Sequence, residues 1–324
     1  MINLGLVGSG RWGKNYIKTI KNTDKVNLVG IYDIVEENHL RKQLEGILEE
    51  DTHIEKSFEQ LCKNIDGLII ATPTHTHEFY IKKAIKNGVG YILCEKPMCC
   101  DKAEIIEIRS AISSFKNLFI GHTYLYNNAL NTAIDMVKNG AIGDLCYISS
   151  ERLNFGPVRN DMNAVSDLAV HDISIFNNFF GSVPTTIDAY GYDIMNRGIE
   201  DIVNISLFYE KIPVHIKAGW AYPEKVRKIS FIGTSGMLLF DELDPSVLYH
   251  HHKKICIENN EYYKEVDLGG NPVSITNKKM PLNMQIEDFA RKIQNKEEFG
   301  NIEFSTGVMD TILDINSKIW EKNK

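Results

Sequence analysis

Gly8-Ser-Gly10-Arg-Trp-Gly13 sets three glycines at the spacing G-x-G-x-x-G, and an acid, Asp33, follows them at the interval of about 20 residues that a ribose-binding acid keeps. The residue types fit dinucleotide chemistry. Gly8 permits a tight turn, Gly10 lets backbone approach a pyrophosphate, and Gly13 lets a helix pack closely on a strand. The N-terminus of that helix would stabilise phosphate charge. Arg11 and Trp12, inside the motif, join the glycines as candidate cofactor contacts. Asp33 would accept hydrogen bonds from ribose hydroxyls and repel a 2′-phosphate, which favours NAD over NADP. Flavin and S-adenosylmethionine sites share parts of this pattern, so the motif alone leaves the nucleotide open.

Two further stretches, Ala71-Thr-Pro-Thr-His-Thr-His77 and Glu95-Lys96-Pro97, each follow a short apolar run. In open α/β sheets, ligands bind outside the carboxyl ends of the strands. Thr72, Pro73, His77, Glu95 and Lys96 are therefore candidate cofactor contacts, with Lys96 toward the nicotinamide end. The alternative for Lys96 is an ordinary surface lysine in a turn.

The elements that must position these residues read as an alternating series. Strands are expected at 2–7, 27–33, 66–71, 90–94 and 117–122, with helices at 14–22, 57–64, 75–87 and 101–114 between them. Strands this apolar have no wet face, which argues for a parallel sheet covered on both sides. After residue 123 the pattern changes. A helix over 126–138 leads into strand-like stretches at 144–153, 185–194, 201–209, 212–220, 228–233, 237–241 and 254–267, interrupted by a helix near 166–180 and closed by helices at 282–295 and 305–321. The expected fold class is α/β: a Rossmann domain over 1–123, then a domain over 124–324 with a large, mostly antiparallel open sheet.

Composition sets outer limits. The 324 residues are 43% hydrophobic and 24% charged, ordinary for a globular protein and long enough for two domains. A formal net charge of −7 speaks against a large nucleic-acid footprint. The opening residues lack the pattern of a signal peptide, and no apolar run suggests a membrane span, so a cytoplasmic protein without a membrane partner is expected. The six cysteines form no C-x-x-C pair, so they are expected as reduced thiols, with no metal site. His250-His-His252 reads as a polar strand edge rather than a metal cluster.

These motifs, in this order and spacing, resemble the Gfo/Idh/MocA oxidoreductase family over essentially the whole length. Gly8–Gly13, residues 71–77 and Glu95-Lys96-Pro97 are similar to its cofactor-domain motifs, and Asp167-Leu-Ala-Val-His171-Asp172 to its D-x-x-x-H segment. The resemblance implies reversible oxidation of a sugar-like alcohol with NAD, a cis Lys96–Pro97 bond, and a second domain whose open sheet joins copies into a dimer or tetramer. It implies that Lys96 touches nicotinamide and substrate, that Asp167 binds or orients, and that His171 is the general acid/base. The residue chemistry agrees: histidine exchanges a proton near neutral pH, Asp167 and His171 at i, i+4 share one face of a helix, and a lysine ammonium stabilises an alkoxide. A purely packing or capping role for His171 is the alternative.

Stretches at 156–163 and 219–227 look closer to family members acting on nucleotide-linked sugars. Arg159 and Asn163 are thus candidate substrate contacts, with ring C3 of a UDP-linked hexose as one candidate position; Arg159 and Arg227 suit phosphate or surface acids equally. Where many relatives carry Arg-Phe-x-Pro, this chain has Tyr124-Leu-Tyr-Asn-Asn128, which leaves substrate contacts there in question. Two rivals stay open: a non-catalytic, NAD-responsive regulator of the same fold, and a glycosidase that uses NAD transiently.

Overall fold

The computed structural model describes residues 1–244, 246–252, 254–258, 261–265, 270–299 and 301–322. They form two compact units, one of residues 1–126 with 279–309, the other of residues 127–278 with 310–324.

The first unit opens with β1 (Ile2–Val7), α1 (Arg11–Lys21), β2 (Val26–Tyr32), α2 (Glu37–Gln43) and the two-residue β3 (His53–Ile54). It continues through α3 (Phe58–Leu61), β4 (Gly67–Ile70), α4 (His77–Lys86), β5 (Ile92–Glu95), α5 (Lys102–Ala111) and β6 (Leu118–Gly121). The strands make one sheet in the order β3-β2-β1-β4-β5-β6, and every pairing is parallel. This is the doubly wound Rossmann order, in which the chain switches direction between β1 and β4. All four residues of β4, of β5 and of β6 are buried. Helices cover both faces, so the sequence could not show the alternation of a half-wet strand.

The second unit contains α6 (Asn128–Lys138), β7 (Leu145–Phe155), α7 (Val170–Phe180), β8 (Thr186–Tyr192), β9 (Ile202–Tyr209), β10 (Ile212–Gly219) and β11 (Ala221–Gly233). After them come β12 (Met237–Asp241), β13 (Leu248–His251), β14 (Lys254–Glu258), β15 (Glu261–Glu265) and β16 (Asn271–Pro272). Eight of these strands form one sheet, ordered β16-β13-β12-β11-β7-β10-β9-β8. Its pairings are antiparallel except that β10 runs parallel to β7. β9 alternates buried and more exposed residues, as a sheet with one open face requires. The strand expected at 254–267 is instead a separate hairpin, β14 against β15; residues 259–260 and 266–267 of that expectation lie outside the described residues. β11 begins at Ala221, well before the expected 228, and a register shift between Ala221 and Val226 separates its two parts.

The division expected at residue 123 falls three residues later on one side, and the C-terminal segment departs from it. Residues 279–309, expected in the second domain, group with the first unit. The reason is apolar: α8 (Pro281–Asn295) buries Ile286, Phe289, Ala290 and Ile293 in the same core as Leu4, Leu6, Tyr16 and Ile69. Gly67 leaves room for it, since a Cβ there would stand 2.8 Å from the Ile293 side chain and 3.0 Å from Phe289. Of α9 (Ile302–Lys322), residues through Met309 belong to the first unit and the rest to the second.

Phe289 is 1% exposed and stacks on Phe299 with ring centroids 5.5 Å apart. Phe289→Ala should therefore cost about 3–5 kcal/mol of stability, the usual cost of emptying a buried phenylalanine site. Urea unfolding measures it, and a loss under about 1 kcal/mol would contradict this placement of α8.

Candidate active site

The glycine turn links β1 to α1, and each glycine has a distinct steric reason. Gly8 has φ of +88°, and a Cβ there would meet the Ala71 carbonyl oxygen at 2.8 Å. A Cβ on Gly13 would stand 2.1 Å from the Gly8 carbonyl oxygen, so any larger residue would push α1 off the strand. Beside Gly10 nothing lies within 4 Å of that position. It is the N-cap of α1, with no side chain capping it, so the first backbone N–H groups of the helix are left without a capping side chain. That is a cradle for an anion. Arg11 is exposed, and Trp12 is 38% exposed.

Asp33, directly after β2, is fastened to this turn. Its Oδ2 accepts the Ser9 backbone N–H and the Ser9 hydroxyl, both at 2.7 Å, and its Oδ1 accepts the Val35 N–H at 3.1 Å. Asp33 lines a cleft with Glu36, Glu37, Glu55 and Lys56. These residues suit an adenosine ribose better than a phosphate.

The loops after β4 and β5 are clipped together by His77. Its ring is 1% exposed; Nδ1 lies 2.8 Å from the Pro97 carbonyl oxygen and Nε2 2.9 Å from that of Thr72. Burial pushes its pKa down while the carbonyls pull it up, and burial wins. A neutral ring donates to one carbonyl only. His77, a candidate cofactor contact, thus donates to one of these carbonyls, its ring wedged between the two loops that hold Thr72, Pro73 and Lys96. The Thr76 hydroxyl fixes the first loop further, at 2.7 Å from both the Thr72 hydroxyl and the Pro73 carbonyl oxygen. The Lys96–Pro97 peptide bond is cis, and so is Gly156–Pro157.

Behind Lys96 lies a buried polar cluster in which Glu95 meets Tyr16 and Gln285, two residues that no spacing rule reveals. Glu95, 4% exposed, accepts the Tyr16 hydroxyl at 2.6 Å, the Lys96 backbone N–H at 3.2 Å and a side-chain hydrogen bond from Trp12. Gln285 of α8 reaches the Tyr16 oxygen at 3.3 Å. His122, after β6, is 4% exposed and lies 3.2 Å from the Ser305 hydroxyl. Burial, aided by the charge on Lys96, pushes its pKa down to about 3.

In the second unit, Asp167 sits in a π-helical turn, Val165–Ala169, that leads directly into α7; a plain helix was expected over 166–180. Such wide turns occur often at functional sites. The Asp167 carboxylate accepts the Trp220 indole N–H at 3.2 Å and pairs with the Arg159 guanidinium at 3.5 Å. Arg159 also grips Asp161 in a two-pronged contact. Asn163 is engaged inside the protein: its amide donates to Glu200 and Asn316, and its carbonyl caps the Ser166 N–H. Arg227 holds the Leu153 and Val226 carbonyls and the Asn154 side chain. His171, half-buried, is the second residue of α7. The helix is anchored one residue later, where Asp172, fully buried, pairs with Arg152 at 2.6 Å and accepts the Ser150 hydroxyl at 2.7 Å.

Sequence reasoning missed several of these residues. Arg197 lies over the Trp220 ring at 5.7 Å, donates to the Arg159 carbonyl and pairs with buried Asp201. It thereby joins the 155–163 and 193–201 segments around Asp167. Nothing in its sequence setting marks it. Asn163 three residues before Ser166 is an Asx-type cap signal that was there to be read.

Residues 2–122 match the family described as the oxidoreductase family, NAD-binding Rossmann fold, and residues 130–239 match the GFO/IDH/MocA C-terminal domain. The 2,7-anhydro-N-acetylneuraminate hydratase of Escherichia coli (strain K12) is 24% identical over 210 residues, 61% of this chain and 55% of that protein. The UDP-N-acetylglucosamine 3-dehydrogenase of Acidithiobacillus ferrooxidans is 28% identical over 189 residues, 58% of this chain and 57% of that protein. The matches thus span little more than half the length of these relatives. The crystal structure of the latter enzyme superposes with a TM-score of 0.77 at 21% identity, covering 98% of this chain and 97% of that one, a likeness of fold. Among the described residues no helix is long and apolar enough to cross a membrane, and no group of three or more His, Cys, Asp or Glu is placed to hold a metal ion.

The buried His122 ring predicts a pH effect. Folded, it stays neutral to about pH 3; unfolded, it takes a proton below its ordinary value of 6.5. The folded pKa is depressed, so this stability is present above 6.5 and lost as pH falls toward 3. From pH 7 to 5, wild type should lose about 2 kcal/mol more than His122→Gln. Urea unfolding at both pH values measures it, and equal losses would contradict the assignment.

Proposed function

The chain belongs to the Gfo/Idh/MocA oxidoreductase family, and we propose that it transfers a hydride between a nicotinamide dinucleotide and a secondary alcohol of a sugar or nucleotide-linked sugar. The observation that carries this reading is the glycine turn, open beside Gly10 and edged by Asp33. NAD is the preferred form, because a 2′-phosphate would face the carboxylates of Asp33, Glu36, Glu37 and Glu55 with only Lys56 to offset them. A bound nicotinamide supplies the hydride acceptor or donor.

The chain's own residues do the rest. The Lys96 ammonium stabilises negative charge developing on the substrate oxygen. The His171 imidazole takes the hydroxyl proton in one direction and returns it in the other. Asp167, held by Trp220 and Arg159, binds a neighbouring hydroxyl or orients the base, and Arg159 offers a guanidinium to a nucleotide phosphate. The relative named UDP-N-acetylglucosamine 3-dehydrogenase favours C3 of a UDP-linked amino sugar as the reacting carbon. The open face of the second sheet, where Tyr190, Tyr192 and Phe208 are exposed, is the surface through which copies of the chain associate in the cytoplasm. The presence of Lys96, Asp167 and His171 together favours an enzyme over a non-catalytic NAD-responsive regulator.

One observation favours a second reading. Two relatives are named as hydratases, and hydration changes no oxidation state. The same residues would then serve a reaction without net redox change, as would a glycosidase that oxidises its substrate only in passing. Incubation with NAD and a panel of nucleotide sugars separates the two: growth of absorbance at 340 nm supports the dehydrogenase, and a released or rearranged sugar without NADH supports the second.

Removing the base should separate chemistry from cofactor binding. His171→Ala is expected to lower kcat by about 10²-fold or more while NADH binding stays within about twofold; turnover near wild type would remove His171 from the base role. Asp33→Ala should weaken NAD and shrink its advantage over NADP, and an unchanged ratio of the two kcat/KM values would take Asp33 out of the ribose site.

A further inference from the structure

Glu95, a candidate cofactor contact by sequence, is a buried carboxylate turned onto donors of the protein itself. Three donors converge on it: the Tyr16 hydroxyl, the Trp12 side chain and the Lys96 backbone N–H. A carboxylic acid proton would find a poor partner there, since the Tyr16 oxygen already receives Gln285. Burial pushes the Glu95 carboxyl up and outweighs Tyr16, Trp12 and the charge of Lys96, which pull it down; the case for the carboxylate is the geometry of its donors. The donor arrangement argues for the ionised form, which needs a cation nearby in a buried setting, and the Lys96 ammonium is the cation that acts on it.

The surroundings of Lys96 sharpen the point. His122 lies close enough to feel the lysine charge and is itself neutral, so it adds no second positive charge beside it. Cys94, which acts on Tyr16, is fully buried with its thiol pushed up by burial, and so is uncharged. Tyr16 is likewise pushed well up by burial and by Glu95, and stays a neutral donor. Gly121 keeps the space open: a Cβ there would stand 2.9 Å from the Gln285 amide and 3.5 Å from Glu95 Oε1.

We propose that Glu95 is a positioning residue for Lys96: a buried counter-charge that keeps the ammonium protonated and ties its backbone to α1. Trp12 and Tyr16 stand on the helix whose N-terminus forms the cradle, one on the first turn and one on the second. A hydrogen bond from each to Glu95 therefore makes the position of Lys96 depend on the placement of the glycine-turn helix. The inference rests on the proposed role of Lys96 in hydride transfer, but its test does not.

The test reads the charge of Lys96 without turnover. The intact chain is pulsed with acetic anhydride across a pH series, and modification of Lys96 is quantified by mass spectrometry of its peptide; only the free amine reacts. In Glu95→Gln, an isostere that keeps an acceptor for Tyr16, the midpoint for Lys96 should fall by about one unit, so that its modification rate on the rising limb increases about tenfold. Tyr16→Phe should move the midpoint in the same direction by less, and it secures the test if Glu95→Gln does not fold. Other lysines on the same chain serve as internal controls. An unmoved Lys96 midpoint in the folded variants overturns the proposal and shows Glu95 neutral or merely structural. A chain that binds no dinucleotide and turns over no sugar would fail the dehydrogenase reading while leaving this result intact.

Discussion

The first unit depends on one close approach, the Cα of Gly13 against the carbonyl oxygen of Gly8. No residue with a Cβ fits there, because the added atom would stand 2.1 Å from that oxygen. With the approach intact, α1 starts directly above the carboxyl end of β1, its first N–H groups are unspent, and Ser9 lies within reach of Asp33. The same turn crowds Gly8 against Ala71 and Thr72, so the loop after β4 is set by it as well. Without the approach, the helix, the acid and the second loop lose their common reference.

From that reference the remaining polar residues work by holding backbone rather than by meeting solvent. His77 sits between two loop carbonyls and donates to one of them, Glu95 gathers donors from α1 and from Lys96, and Asp172 anchors α7 to β7 through Arg152 and Ser150. Buried polar groups are costly unless satisfied, and two of these, Glu95 and Asp172, are satisfied next to residues proposed to do chemistry. Lys96 adjoins Glu95, and His171 adjoins Asp172.

Much of this was legible in the residues, for a physical reason. Strands covered on both faces must be apolar throughout, so the order of the Rossmann half showed in runs such as Gly67–Ile70 and Ile92–Glu95. The glycine spacing showed because only glycine satisfies the steric demands of the turn. The return of α8 to the first unit did not show: its amphipathic pattern announces a buried face but not the core that receives it, and the small size of Gly67 carries meaning only once its neighbours are known. Tyr16, Gln285 and Arg197 were invisible for a related reason. Their partners are distant in sequence, and a tyrosine or an arginine in isolation carries no spacing rule. The π-helical turn at Val165–Ala169 has no residue signature that separates it from the start of an ordinary helix.

The central claim is that the turn at Gly8–Gly13 holds a nicotinamide dinucleotide, and equilibrium binding of NADH tests it most directly. Fluorescence titration of the purified chain should show one saturable site per chain with Kd in the micromolar to sub-millimolar range. Gly13→Ala, still folded by circular dichroism, should lose it by about a hundredfold or more. An absence of saturable binding of both NADH and NADPH to the wild-type chain, or full binding to a folded Gly13→Ala variant, would contradict the account.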